Sequence, residues 1–207
     1  MKPEQFTQKA LEAISEANEL AKQYNHSQIE VEHVLAALLA QEGGVVQQVI
    51  QKVGGNMGGS LATAQRMVNA DLERMPHVFG GSKPNFSPRI DKLLEHARRE
   101  MQNFKDEFIS VEHILLAMFD IGEGPATRAL KAAGLSRENV LKALTSIRGT
   151  QRVTDQNPEG KYQALERYGR NLTELAPRAS SIPSSGVMKR FAASSRCSAA
   201  APKITLC

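Results

Sequence analysis

The stretch IEVEHVLAALL at residues 29–39 returns as ISVEHILLAMF at residues 109–119. The spacing of 80 is not confined to this phrase. Sliding the sequence against itself by 80 aligns residues 6–54 with 86–134 without a gap. Phe6-Thr7 meets Phe86-Ser87, Ala17 meets Ala97, Tyr24 meets Phe104, Ile29 meets Ile109, and Gly44 and Gly54 meet Gly124 and Gly134. A match of that length is a duplicated structural unit.

Each copy reads as helices. In the opening stretch Val31, Val34, Leu35 and Leu38, matched by Val111, Ile114, Leu115 and Met118, form one apolar stripe at helical period. Ahead of it, Ala10, Ala13, Ile14, Ala17 and Ala21, and in the second copy Ile90, Leu93, Leu94, Ala97 and Met101, repeat the i, i+3, i+4, i+7 pattern. A third helix stops at Gly54-Gly55 in one copy and at Gly134 in the other, where glycine suits a C-terminal cap. Fourth helices are predicted around Leu61–Arg74 and Arg137–Ile147, and no period-2 strand stands out. The expected fold is all-α: a tandem pseudo-twofold repeat of two four-helix units. The domain spans residues 1–149, with repeats at about 6–75 and 86–148 joined by the Pro/Gly/Ser segment Gly80–Ser87.

After Gly149 the composition changes. TDQNPEG reads as a loop, KYQALERYGRNLTELA as a helix that closes a linker of residues 150–176, and residues 177–207 as an aperiodic, disordered tail. The charge follows the same division. Residues 1–150 carry 17 basic and 18 acidic residues, residues 151–176 four of each, and residues 177–207 five basic and none acidic. The net +4 therefore belongs to the tail, and the globular part has no basic excess to bring it to nucleic acid. The only cysteines, Cys197 and Cys207, lie at the end, which excludes a disulfide framework or a Cys-based metal site in the domain. No apolar run reaches the ~18–20 residues of a membrane span, and MKPEQFTQKALEA lacks the apolar core of a signal peptide. The expectation is a cytoplasmic protein with no membrane or nucleic-acid partner.

The adjacent Glu-His pairs suggest metal or acid-base chemistry, but neighbouring residues on a helix point about 100° apart and cannot chelate as an H-x-x-x-H pair does. Ser110 is instead a natural N-cap, which puts Glu112 in the first turn, where a carboxylate offsets the macrodipole. Glu32 holds the equivalent place, with Ser27 and Glu30 as an upstream capping box. His26, His77 and His96 read as surface residues. No G-x-x-x-x-G-K-[ST] occurs in the sequence, and the glycine pairs at 43–44, 54–55, 58–59 and 80–81 read as turns and caps, so no ATPase activity is expected of this chain.

The paired VEH phrases in a tandem four-helix repeat, followed by QRVTDQNPEGKYQALERYGRNLTELA, resemble the amino-terminal domain and first linker of the ClpB group of Clp/Hsp100 disaggregases. QEGG at 41–44 and KYQALERYGRNLTELA favour that group over the related ClpA and ClpC proteins. The resemblance covers residues 1–176. It implies a module that binds misfolded or aggregated proteins, with Thr7, Asp106 and Glu112 as client-binding residues. Two plainer roles stay open: Thr7 as a cap of the first helix and Asp106 as a residue of the turn before the second. The alternative is an adaptor or regulatory dock reading phosphoarginine through Glu32 and Glu112, as ClpC-type domains do. It further implies that ATP and magnesium belong to the full-length family alone, as do the homohexamer and the Hsp70-type partner DnaK, and that this chain is a monomer without cofactor. Synonymous codons for Ala179–Cys207 can be regrouped by one base to give the segment that follows the linker in the family. The tail is accordingly expected to be a frameshifted, truncated product that ends before the first AAA+ module.

Overall fold

The structure is a computed structural model, and it describes residues 3–54, 59–78, 83–149 and 151–158. The chain divides into two units, residues 1–165 and 166–207, and every described residue belongs to the first. The expected linker helix and the frameshifted tail lie outside the described residues.

Eight helices follow one another: α1 (Gln8–Gln23), α2 (Val31–Ala40), α3 (Val45–Gly54), α4 (Gly59–Glu73), α5 (Pro88–Asn103), α6 (Val111–Asp120), α7 (Pro125–Ala132) and α8 (Arg137–Arg148). Adding 80 to the bounds of α1 and α2 gives those of α5 and α6. Thr7 starts α1 as its N-cap, its hydroxyl accepting the Ala10 N–H at 3.3 Å. Both α1 and α5 end on a left-handed residue at equivalent positions, Asn25 (φ 55°) and Lys105 (φ 56°).

The repeats are not two separate bundles. α1 packs on α2 and α5 on α6 within each copy, but α3 packs across the boundary on α8 and α4 on α7. Because α3 and α4 pack against helices of both copies at once, the two repeats share one core instead of each closing its own. The common core joins Leu35, Leu38 and Leu39 of α2 to Ile114, Leu115 and Leu116 of α6, all fully buried. Short extended segments complete the exchange. β1 (Gln28–Ile29) pairs in parallel with β2 (Asn85–Phe86), and Phe6 bridges to Ile109. Each is the segment before a repeat's first helix meeting the segment before the other repeat's second helix. Part of the expected connector is therefore structural: Asn85-Phe86 is strand, and Ser87 is the N-cap of α5.

The loop expected after Gly149 is docked rather than free over residues 151–158. Val153 is fully buried, its carbonyl accepts the Glu107 N–H at 3.0 Å, and the Gln156 carbonyl accepts the Gln8 N–H at 2.8 Å.

Candidate functional site

The N-terminus of α6 gathers the residues expected to bind client. Ser110 is the N-cap, and the ring of His113 three residues on accepts its backbone N–H through Nδ1 at 3.0 Å. That bond puts the His113 proton on Nε2, which lies 3.1 Å from Asp106 Oδ2. Asp106 accepts hydrogen bonds from Arg148 Nη2 and, at 2.9 Å, from the Val153 N–H. Burial alone would raise the Asp106 carboxyl. The His113 and Arg148 side chains and the Val153 N–H outweigh it and hold the group below the usual carboxylate range. Arg148 is fixed in turn by its Nε bond to the Gln151 carbonyl at 2.6 Å, and its guanidinium lies 5.4 Å from the centre of the Phe104 ring.

Glu112, in the first turn, accepts from the Ser110 hydroxyl through Oε2, while its buried Oε1 has no hydrogen-bond partner. Glu112 lines a cavity of about 200 Å³ together with Phe104, Leu144, Thr145, Arg148, Gln151 and Arg152. Thr7 stands on the other side of the same turn, its N–H donating to the Ile109 carbonyl at 3.0 Å. Thr7, Asp106 and Glu112 thus converge on one turn, yet all three are buried, and of the three only Glu112 lines the cavity.

The matching position in the first repeat is closed. Glu32 is fully buried and takes a two-pronged bond from Arg89, with Nη1 and Nη2 each at 3.1 Å from one carboxylate oxygen, plus the Ala126 N–H at 3.3 Å. Gly124 makes room for this: a Cβ there would stand 2.6 Å from Arg89 Nη2. Glu30, which also receives Ser87 Oγ at 2.9 Å, is itself the N-cap of α2. The expected Ser27–Glu30 capping box is replaced by Glu30 with His33, because His33 at the third helical position accepts the Glu30 N–H at 3.0 Å. His26 is not a surface residue either; it is buried, with Nδ1 2.8 Å from His33 Nε2. His77 is exposed and His96 half-buried.

Among the described residues, no group of His, Cys, Asp and Glu is arranged to hold a metal ion, and no helix is long and apolar enough to cross a membrane.

Residues 5–133 match the Clp repeat (R) N-terminal domain family. The chain belongs to the Clp N-terminal domain family. It is 42% identical over 84% of its length to the chaperone protein ClpB 1 of Thermosynechococcus vestitus, and 36% identical over 85% to the mitochondrial chaperone ClpB3 of Oryza sativa. It spans about one fifth of the length of these relatives, 19% and 18%. Among solved structures, the Hsp104 N-terminal domain of Candida albicans superposes over 74% of this chain and 98% of that one, with TM-score 0.59 and 27% identity. A ClpV N-domain in complex with a VipB peptide shares the fold, covering 69% of this chain and 86% of that one at TM-score 0.54 and 20% identity. The all-α repeat architecture is thus that of a Clp N-domain of the ClpB/Hsp104 kind, and the Glu112 cavity lies between its second-repeat helices α6 and α8.

Arg89, Arg148 and Gly124 carry much of this geometry and were not singled out from sequence. Gly124 had a signal, its match to Gly44. The arginines had none, since each lies more than 40 residues from the carboxylate it serves.

Proposed function

We propose that this Clp N-domain is the client-binding module of an ATP-dependent protein disaggregase, taking single side chains of exposed, mainly apolar segments into the cavity beside Glu112. The observation that carries the reading is the lining of that cavity. Phe104 and Leu144 offer apolar surface, and the unpartnered Oε1 of Glu112 offers an acceptor for an incoming donor. At about 200 Å³ it is smaller than the ~300–1,000 Å³ of a drug-sized pocket and suits one side chain rather than a whole small molecule. Thr7 and Asp106 act here by positioning. Thr7 holds the turn before α6 through Ile109, and Asp106 holds Arg148 against Phe104. The complex of a ClpV N-domain with a VipB peptide supports peptide binding as something this fold does.

Burying one Leu or Phe contributes ~1.5–3 kcal/mol, and one or two anchors less the cost of association leave micromolar to millimolar affinity. Weak binding suits release of client to a motor, and six copies in a hexamer would multiply it through effective concentration. The ATPase modules, the hexamer and DnaK belong to this proposal at the level of the whole protein. The test is titration of the full chain with a labelled, permanently unfolded polypeptide. Thr145 is exposed on the cavity rim, so Thr145→Arg blocks the mouth without disturbing the core and is expected to weaken binding tenfold or more. Unchanged affinity would overturn the site.

One observation favours a second reading, docking of phosphoarginine: Arg148 and Arg152 line the same cavity as Glu112 and offer charge to a phosphate. Arg89 already fills the guanidinium place on Glu32, so this reading calls for one site rather than two. It is expected to give one equivalent of phosphoarginine bound, lost in Glu112→Ala and kept in Glu32→Ala. Binding to phosphoarginine with none to the unfolded polypeptide would favour the regulatory dock over the client module, and two equivalents would contradict the single site.

A further inference from the structure

The offset of 80 makes His26 the counterpart of Asp106 and His33 the counterpart of His113. One structural position therefore holds a histidine pair in the first repeat and an aspartate–histidine pair in the second. The proton positions in the first pair follow from its neighbours. His33 Nδ1 accepts the Glu30 N–H, so His33 carries its proton on Nε2 and donates it to His26 Nδ1 at 2.8 Å. His26 then carries its own proton on Nε2, which is buried without a partner. Both basic nitrogens of the pair are already accepting a hydrogen bond, so any further proton breaks one: on His26 Nδ1 the bond between the rings, on His33 Nδ1 the cap of α2.

A strap crosses this pair. Residues Met75–Val78, directly after α4, run over the end of α1, where His77 Nδ1 donates to the Tyr24 carbonyl at 2.6 Å and the Val78 N–H to the Asn25 carbonyl at 2.7 Å. The His26 ring is stacked between Tyr24 and His77, with centroids at 5.5 and 5.3 Å. A charge on His26 therefore lands against the ring that anchors the strap.

The groups around the pair do not absorb such a charge. Lys22 of α1 and Lys83 ahead of β2 line one cavity with His26, and both are cationic. Glu30 and Arg89 line another, where Arg89 already pairs with Glu30 and Glu32. Desolvation and the neighbouring imidazole depress His33 to about 4, against the smaller pull of Glu32 and its bond to Glu30. His26 is likewise lowered, by burial and by His77.

We propose that the His26–His33 pair is a proton-operated release for the strap Met75–Val78, while Asp106–His113 keeps the equivalent side of the second repeat closed under the same conditions. The Asp106 carboxylate faces His113 at 3.1 Å, and its bonds to Arg148 and Val153 persist until the pH falls below the usual carboxylate range. Mild acid thus frees Met75, which packs against the core, and adds apolar surface to one half of the domain.

The test is amide hydrogen exchange of the full chain at pH 7.5, 6.5 and 5.5, read as protection factors. Protection of the Val78 N–H is expected to fall by up to about tenfold per pH unit below ~6.5 for each proton taken up, while the Glu107 N–H, bonded to Val153 in the second repeat, holds. His26→Asp installs the second repeat's pair and is expected to abolish the fall. Parallel loss at Val78 and Glu107, or Val78 protection independent of pH, would overturn the proposal. So would imidazole nitrogen spectra of the unaltered chain at pH 7.5 that place the His33 proton on Nδ1, a readout that does not depend on the variant folding.

Discussion

Asp106 is a buried carboxylate whose charge is balanced from 42 residues away by Arg148. Removing one member of such a pair leaves an uncompensated charge in the interior, so Arg148→Ala is expected to cost about 3–5 kcal/mol in urea unfolding. It should also loosen residues 151–158, since Arg148 holds the Gln151 carbonyl. Acid acts on this residue and on His33 in different windows. Asp106 is depressed in the folded state, so its contribution is complete above the unfolded value near 3.9 and is lost as the pH falls below it. His33 is also depressed, but it is neutral when unprotonated. The unfolded chain takes up its proton first, and stability is complete above ~6.5 and drains away as the pH falls toward about 4. Chemical denaturation across pH 7.5 to 3 is therefore expected to show two stages, the upper one of up to about 3 kcal/mol. A flat profile between pH 7 and 5 would contradict the neutral histidine pair.

At the scale of elements, the beginnings of α2, α5 and α7 meet at one point. Glu32 comes from the first turn of α2, Arg89 from that of α5, and the Ala126 N–H and Gly124 from the start of α7. Gly124→Ala and Arg89→Ala both remove the guanidinium from Glu32, the first by crowding Nη2. Each is expected to cost about 1–3 kcal/mol, and the double variant little more than either alone. Additive losses would show that Gly124 and Arg89 do not serve the same contact. Helix starts in general were partly legible in sequence. Ser110 as N-cap and Thr7 as cap of α1 follow from residue type and position. The α2 cap was misplaced because an imidazole at the third helical position can accept the N-cap N–H as a Glu or Gln would. The rule that looks for an upstream Ser and a carboxylate passes over it.

For the whole molecule, the 80-residue period made the two repeats and their first three helices readable from sequence, and the fourth helix of each was read separately, because apolar spacing at 3.6 residues records which face is buried. Periodicity does not record what that face is buried against. The exchange of α3 onto α8 and α4 onto α7, and the crossed strand segments, are tertiary facts with no local signature. The surroundings of the candidate site were less legible. Position in the helix put Glu112 in the first turn of α6, while its expected role in client binding came from the family resemblance alone. That its partner repeat would be sealed by Arg89, and its own cavity walled by Arg148, depends on contacts far apart in the chain.

The measurement that bears most directly on client binding at the Glu112 cavity is chemical-shift mapping of the full chain during titration with an unfolded apolar polypeptide. Progressive shifts are expected, confined to Phe104, Glu112, Leu144, Thr145, Arg148 and Arg152, with the Glu32–Arg89 cluster unmoved. Shifts centred instead on the α1–α2 groove, at Glu12, Glu16 and Gln41, would contradict binding at the Glu112 cavity.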